Sequence, residues 1–178
     1  MNHPAATTES LRDAIRNVPD FPQAGIQFKD ITPLLADARL YAGAMRHLAG
    51  AFQPGDVDAV VGIDARGFIF AAAVALSLQA GFVPIRKKGK LPYKTLEQTY
   101  DLEYGSNTMA IHEDALRPGA RALLVDDVLA TGGTALAAVE LLRKLNAKIL
   151  GAHFLIELGF LNGRQKLAGV PVMSLINY

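Results

Sequence analysis

Two short, continuously apolar runs constrain this chain more than any other feature. VDAVVGI at 57–63 and RALLV at 121–125 lack the alternation of a strand with one wet face, so they read as strands covered on both sides. A helical pattern follows each closely, from about Arg66 in the first case and from Thr134 to about Asn146 in the second. FVPIRK (82–87), AKILGAHFLIEL (147–158) and VPVMSLIN (170–177) supply further strands. Strands alternating with helices predict an α/β fold with a mostly parallel twisted sheet flanked by helices, in which ligands bind beyond the carboxyl ends of the strands.

The remaining segments fit around that sheet. TTESLRDAIRNV (7–18) has helical spacing, a Thr or Ser near its cap and Pro19 as its stop, and ARLYAGAMRHLAGAF (38–52) is a second amphipathic helix halted by QPGD. TYDLEYG (99–105) and NTMAIH (107–112) predict an antiparallel pair outside the main sheet, after a basic loop, KKGKLPYK (87–94). No linker, repeat or low-complexity tract interrupts the 178 residues, so a single domain over 1–178 is expected. The chain has no cysteine and a formal net charge of +1, which disfavours thiolate chemistry, disulfides and a nucleic-acid surface. Its four histidines, His3, His47, His112 and His153, lack metal-ligand spacing, and no protein-built metal site is expected. The start of the chain lacks the pattern of a signal peptide, and the apolar segment at 67–78 is too short to span a bilayer. These features fit a cytoplasmic protein with no membrane partner.

Chemistry concentrates in LLVDDVLATGGTA at 123–135. The apolar strand carries Asp126 and Asp127 to its carboxyl end, and Thr131, Gly132, Gly133 and Thr134 lead into a helix whose Leu136, Val139 and Leu142 share a face. The first turn of a helix has backbone N–H groups without intrahelical partners, and glycines let an anion approach them. The stretch lacks the Gly-Lys-Ser/Thr ending of a P-loop and the Gly-x-Gly-x-x-Gly dinucleotide fingerprint. Carboxylates would repel a phosphate but accept hydrogen bonds from sugar hydroxyls, so a ribose 5-phosphate satisfies both halves. The alternative is that the acids cap the helix and the glycines only turn the chain.

This stretch resembles the signature of the type I phosphoribosyltransferases. Further segments extend the resemblance to the adenine-specific branch of that family: DFPQAGIQFKDITPLL (20–35), GIDARGFIFAAAVA (62–75), PIRKKGKLP (84–92), LEYG (102–105) and ELGFLNGRQKL (157–167). The resemblance implies a phosphoribosyltransferase fold with a small hood over the base site, formed by about 1–35 and part of the C-terminal region, and a flexible loop. It implies transfer of a phosphoribosyl group from phosphoribosyl pyrophosphate to adenine, with AMP and pyrophosphate as products, Mg²⁺ bound through the substrate, and a homodimer.

The resemblance also implies residue roles. Asp126 and Asp127 hold the ribose hydroxyls, and Ala130, Thr131, Gly132, Gly133 and Thr134 hold the 5-phosphate. Asp64, Ala65 and Arg66 form a pyrophosphate loop, to which Arg86, Lys87 and Lys90 add positive charge; helix capping by Asp64 and a solvated Arg66 are the alternative. Glu103 handles the proton that adenine sheds, or else faces solvent. Gln27, Phe28, Lys29 and Leu158 contact adenine, although a Phe at an apolar position such as Phe28 is more often core than stacking partner. A sister enzyme acting on a 6-oxopurine or orotate would share the Asp-Asp loop but not the flanking segments. A regulatory phosphoribosyl pyrophosphate sensor would be expected to carry a DNA-binding extension.

Overall fold

In the computed structural model, which describes residues 6–102 and 105–178, the chain divides into two units, Met1–His47 and Leu48–Tyr178. The first begins with α1 (Thr8–Asp13), closed by a capping box: Ser10 N donates to Thr7 Oγ1 at 3.2 Å and Thr7 N donates to Ser10 Oγ at 3.0 Å. The helix stops well short of the expected Val18. Arg16–Pro19 instead form strand β1, paired antiparallel with β2 (Gln27–Asp30) from Arg16↔Asp30 to Pro19↔Gln27. Two effects overrule the helical spacing. A residue before proline disfavours the helical region, and the partner strand satisfies the backbone groups that a longer helix would have used. Side chains reinforce the pairing, with Lys29 Nζ donating to Asn17 Oδ1 at 2.6 Å. Helices α2 (Thr32–Ala36) and α3 (Ala38–Ala49) follow. Asp37 Oδ1 accepts from the N–H groups of Arg39 and Leu40, both at 2.9 Å, and so starts α3.

The second unit contains β3 (Ala59–Ile63), α4 (Gly67–Ser77), β4 (Gly81–Lys87), β5 (Thr95–Leu102), β6 (Gly105–His112), β7 (Arg121–Leu129), α5 (Gly133–Lys144), β8 (Lys148–Glu157), two 3-10 turns (Gly159–Leu161 and Gly163–Leu167) and β9 (Val172–Asn177). The strands form one seven-stranded sheet in the order β5-β6-β4-β3-β7-β8-β9. β4, β3, β7, β8 and β9 are parallel, as the apolar runs predicted. Every residue of β3 is buried. Val61, Ile63, Ile85, Leu124 and Phe154 pack with Ala138, Val139 and Leu142 of α5 in the main core.

The β5–β6 hairpin is not outside the sheet. It is antiparallel to it but joined to β4 through Arg86↔Ala110 and Lys87↔Met109. Those pairs also place Arg86 and Lys87 in a strand, leaving Lys88 onward as the basic loop. Lys88 Nζ lies 2.7 Å from Glu97 Oε2, an exposed ion pair between the loop and β5. His153 is a satisfied core residue: its Nδ1 lies 2.7 Å from the Leu48 carbonyl oxygen, its ring stacks on Phe52, and burial lowers its pKa.

Candidate active site

The site arises from unequal strand lengths. β3 pairs with β7 only as far as Gly62↔Val125, whereas β7 continues beside β8 to Leu129↔Glu157. Asp126 and Asp127 are therefore not at the end of their strand, as the sequence suggested, but on a stretch that outruns β3. The space beyond β3 is a cleft of about 360 Å³ lined by Ile63, Asp64, Ala65, Arg66, Asp126, Asp127, Val128, Ala130 and Thr134. Residues 128–135 line an adjoining concavity of about 60 Å³ that holds Thr131, Gly132 and Gly133.

Both acids are almost fully buried, at 8% and 6% exposure, which is unusual for carboxylates without a strong partner. Asp126 Oδ1 accepts the Asp127 N–H at 2.9 Å. Arg66 Nε stands 2.6 Å from Asp127 Oδ2 as an ion pair, yet that oxygen accepts no hydrogen bond. Burial pushes both carboxyls above their ordinary pKa; the adjoining Asp127 charge raises Asp126 further, while Arg66 opposes the rise at Asp127. A pair held in this way is prepared for a ligand that brings hydroxyl donors or positive charge.

Neither helix beside the cleft is capped by a side chain. α5 starts from Gly132, whose φ of +79° is the left-handed conformation that favours glycine, and α4 starts from Arg66. The capping alternatives for Asp64, Asp126 and Asp127 are thus not what the chain adopts. Asp64 instead accepts from Arg86 Nε at 3.0 Å, while Arg86 Nη1 donates to the Lys90 carbonyl at 2.9 Å, so Arg86 fastens the basic loop to the turn after β3. The Asp64–Ala65 peptide is cis. Lys87 and Lys90 are exposed and do not line the cleft.

The other expected residues sit elsewhere. Gln27, Phe28 and Lys29 belong to β2, with Phe28 edge-on to Phe21 at a 5.0 Å centroid separation. Leu158 is half-buried directly after β8, its N–H bonded to the Leu129 carbonyl at 2.9 Å. Glu103 lies outside the described residues.

Two glycines matter that sequence reasoning did not assign. A Cβ at Gly67 would collide with Asp126 Oδ1, so α4 comes up against the acid pair only because that position is bare. A Cβ at Gly163 would collide with the Ala130 carbonyl and stand 2.8 Å from Gly132 N, which makes the second 3-10 turn the wall behind the anion loop. Glu157 fastens that turn: Arg164 Nε donates to its Oε1 at 3.0 Å and Nη2 to its Oε2 at 2.5 Å, holding the carboxyl below its ordinary pKa. Gly67 was findable as the first helical residue after the Asp-Ala-Arg turn. Gly163 had no local signal.

The span that holds the acid pair and the uncapped, glycine-lined start of α5 lies within residues 30–167, which match the family model of the phosphoribosyl transferase domain. The chain is 57% identical over 173 residues to the adenine phosphoribosyltransferase of Acidothermus cellulolyticus, covering 97% of this chain and 98% of that one. It is similar to the crystal structure of adenine phosphoribosyltransferase from Rhodothermus marinus, with a TM-score of 0.91 at 51% identity, covering 96% of this chain and 98% of that one. The enzyme from Saccharomyces cerevisiae, complexed with D-2,5-dideoxy-2,5-imino-altritol 1,6-bisphosphate and adenine, matches with a TM-score of 0.89 at 41% identity over 94% of this chain and 97% of that one. The chain belongs to the adenine phosphoribosyltransferase family.

Proposed function

We propose that the chain transfers the 5-phosphoribosyl group of phosphoribosyl pyrophosphate to adenine, giving AMP and pyrophosphate in purine salvage. The observation that carries this reading is the juxtaposition of Asp126 and Asp127 with the uncapped start of α5, in a chain so close to enzymes of that name. The 5-phosphate rests on the N–H groups and hydroxyls of Ala130, Thr131, Gly132, Gly133 and Thr134. The ribose hydroxyls donate to Asp126 and Asp127.

As the bond from ribose carbon 1 to pyrophosphate lengthens, positive charge grows on the ring. Two fixed carboxylates nearby stabilise that charge without having to reorganise. Asp64, Ala65 and Arg66 receive the pyrophosphate, with Arg86 and the lysines Lys87 and Lys90 adding positive charge. Arg66 exchanges its contact with Asp127 for a phosphate as the ligand arrives, which frees the carboxylate for the sugar. The purine ring nitrogen bonds to carbon 1, and Glu103 takes up the proton adenine loses. Gln27, Phe28, Lys29 and Leu158 hold the base. The tie from Lys29 Nζ to Asn17 favours a backbone role over a side-chain one at that position.

Mg²⁺ fits the donor set. Among the described residues no group of three His, Asp or Glu side chains could hold a metal, and Mg²⁺ favours substrate phosphates, water and one or two carboxylates. Brought in with the substrate beside Asp126 and Asp127, it would supply neutralisation of charge on the leaving group. A cytoplasmic homodimer completes the proposal. Among the described residues no helix is long and apolar enough to cross a membrane.

The test is pyrophosphate release from phosphoribosyl pyrophosphate with a panel of bases. Adenine should support turnover, whereas hypoxanthine, guanine and orotate should not. Activity on hypoxanthine with none on adenine would overturn the assignment.

A further inference from the structure

The β5 edge of the hairpin is tied to α5 at both ends of the helix. Near the C-terminal end of α5, Lys144 Nζ donates to the Glu97 carbonyl at 2.6 Å; in its first turn, Thr134 Oγ1 donates to the Tyr100 hydroxyl at 3.1 Å. β5 therefore runs antiparallel to α5, and its tyrosine reaches the helix start. Tyr100 and Leu96 pack against the core, so the ring is held while its hydroxyl reaches the loop. Thr134 lines both the cleft and the loop concavity, and Tyr100 lines a separate space of about 260 Å³ with Gln98, Gly133, Leu136, Glu140 and Lys166. The Tyr100–Thr134 bond thus joins the hairpin to the anion loop from outside the cleft.

We propose that Tyr100 is a positioning residue for the 5-phosphate, holding Thr134 Oγ1 beside the anion loop and donating to it once the threonine proton turns to the phosphate. The inference rests on the proposed phosphate role of Thr134. A threonine hydroxyl has one proton and accepts through its lone pairs, and a tyrosine hydroxyl can do either. Without a phosphate, Thr134 donates to Tyr100. With one, Thr134 donates to the phosphate oxygen and Tyr100 donates to Thr134 Oγ1, so the pair reverses direction and polarises the threonine toward the anion. Phenylalanine would keep the ring packing and remove only this bond.

The experiment combines Tyr100→Phe and Thr134→Val, singly and together. Binding of ribose 5-phosphate is measured by calorimetry, and the KM for phosphoribosyl pyrophosphate and for adenine by initial rates. Tyr100→Phe should weaken ribose 5-phosphate and raise the KM for phosphoribosyl pyrophosphate roughly 2- to 12-fold, the range of one hydrogen bond. The KM for adenine should stay at its parent value. In the Thr134→Val background, Tyr100→Phe should change nothing further. If Thr134→Val weakens ribose 5-phosphate while Tyr100→Phe does not, or if the two effects simply add, the tether is wrong and the phosphate site stands. If Thr134→Val leaves ribose 5-phosphate binding unchanged, the phosphate role of Thr134 fails, and the tether with it.

Discussion

Replacing Gly163 by alanine probes the wall behind the phosphate loop, at a residue far from that loop in sequence. The added Cβ would meet the Ala130 carbonyl oxygen and lie 2.8 Å from Gly132 N, both backbone atoms that no rotamer change can move aside. Gly163 does not occupy the left-handed region, so the conflict is one of space rather than of backbone preference. Overpacking of this kind costs about 1–3 kcal/mol. For a chain of this size that lowers the melting temperature by about 2–12 °C. The loop at 130–134 relieves the contact by retreating, and its N–H groups then miss the 5-phosphate. Each charge-assisted hydrogen bond contributes about 1.5–3 kcal/mol, so losing one raises the KM for phosphoribosyl pyrophosphate about 10- to 150-fold, with a smaller effect on adenine. Thermal melts and initial rates of AMP formation at saturating adenine read both effects. A Gly163→Ala variant with parental melting temperature and parental KM for phosphoribosyl pyrophosphate would refute the argument that this turn supports the loop.

Three other perturbations follow from the same geometry. Folding raises the pKa of Asp126 above its ordinary 3.8, so its ionisation opposes folding: the penalty is absent below about that pH and grows as pH rises through the folded-state value. Asp126→Asn keeps an oxygen for the Asp127 N–H, so it should melt higher than the parent at pH 7, with the difference vanishing toward pH 3.8, while AMP formation falls roughly 10²- to 10³-fold; a lower melting temperature at pH 7 would contradict this. Glu103→Ala should lower kcat at least about 10²-fold with little change in the KM for phosphoribosyl pyrophosphate, and full turnover would remove Glu103 from the mechanism. Chelation of Mg²⁺ should abolish turnover while leaving the melting temperature of the ligand-free protein unchanged, since the metal enters with substrate; a fall in that melting temperature on chelation would place a metal in the protein itself.

What could be read from the sequence depended on how local its cause was. β3 and β7 were legible because burial on both faces leaves a continuous apolar run, and the anion loop because Thr-Gly-Gly-Thr before a helical pattern carries its own chemistry. Arg16–Val18 read as helix because Leu11, Ile15 and Val18 have helical spacing, while the partner strand that decides the matter begins only at Gln27. The hairpin was set apart from the sheet because just two residue pairs, at Arg86 and Lys87, join it to β4. Asp126 and Asp127 were found, but not the overhang of β7 past β3 that makes room for a ligand, because it depends on the relative lengths of two strands. The Arg66–Asp127 ion pair and the Gly163 wall were invisible for the same reason: each joins residues remote in sequence, and neither partner carries a local mark of the other.

The most direct test of the central claim is a crystal structure with AMP bound. The account predicts the 5-phosphate on the N–H groups of residues 131–134 and the ribose hydroxyls on Asp126 and Asp127. A phosphate bound away from that loop, or a ribose making no contact with either acid, would contradict it.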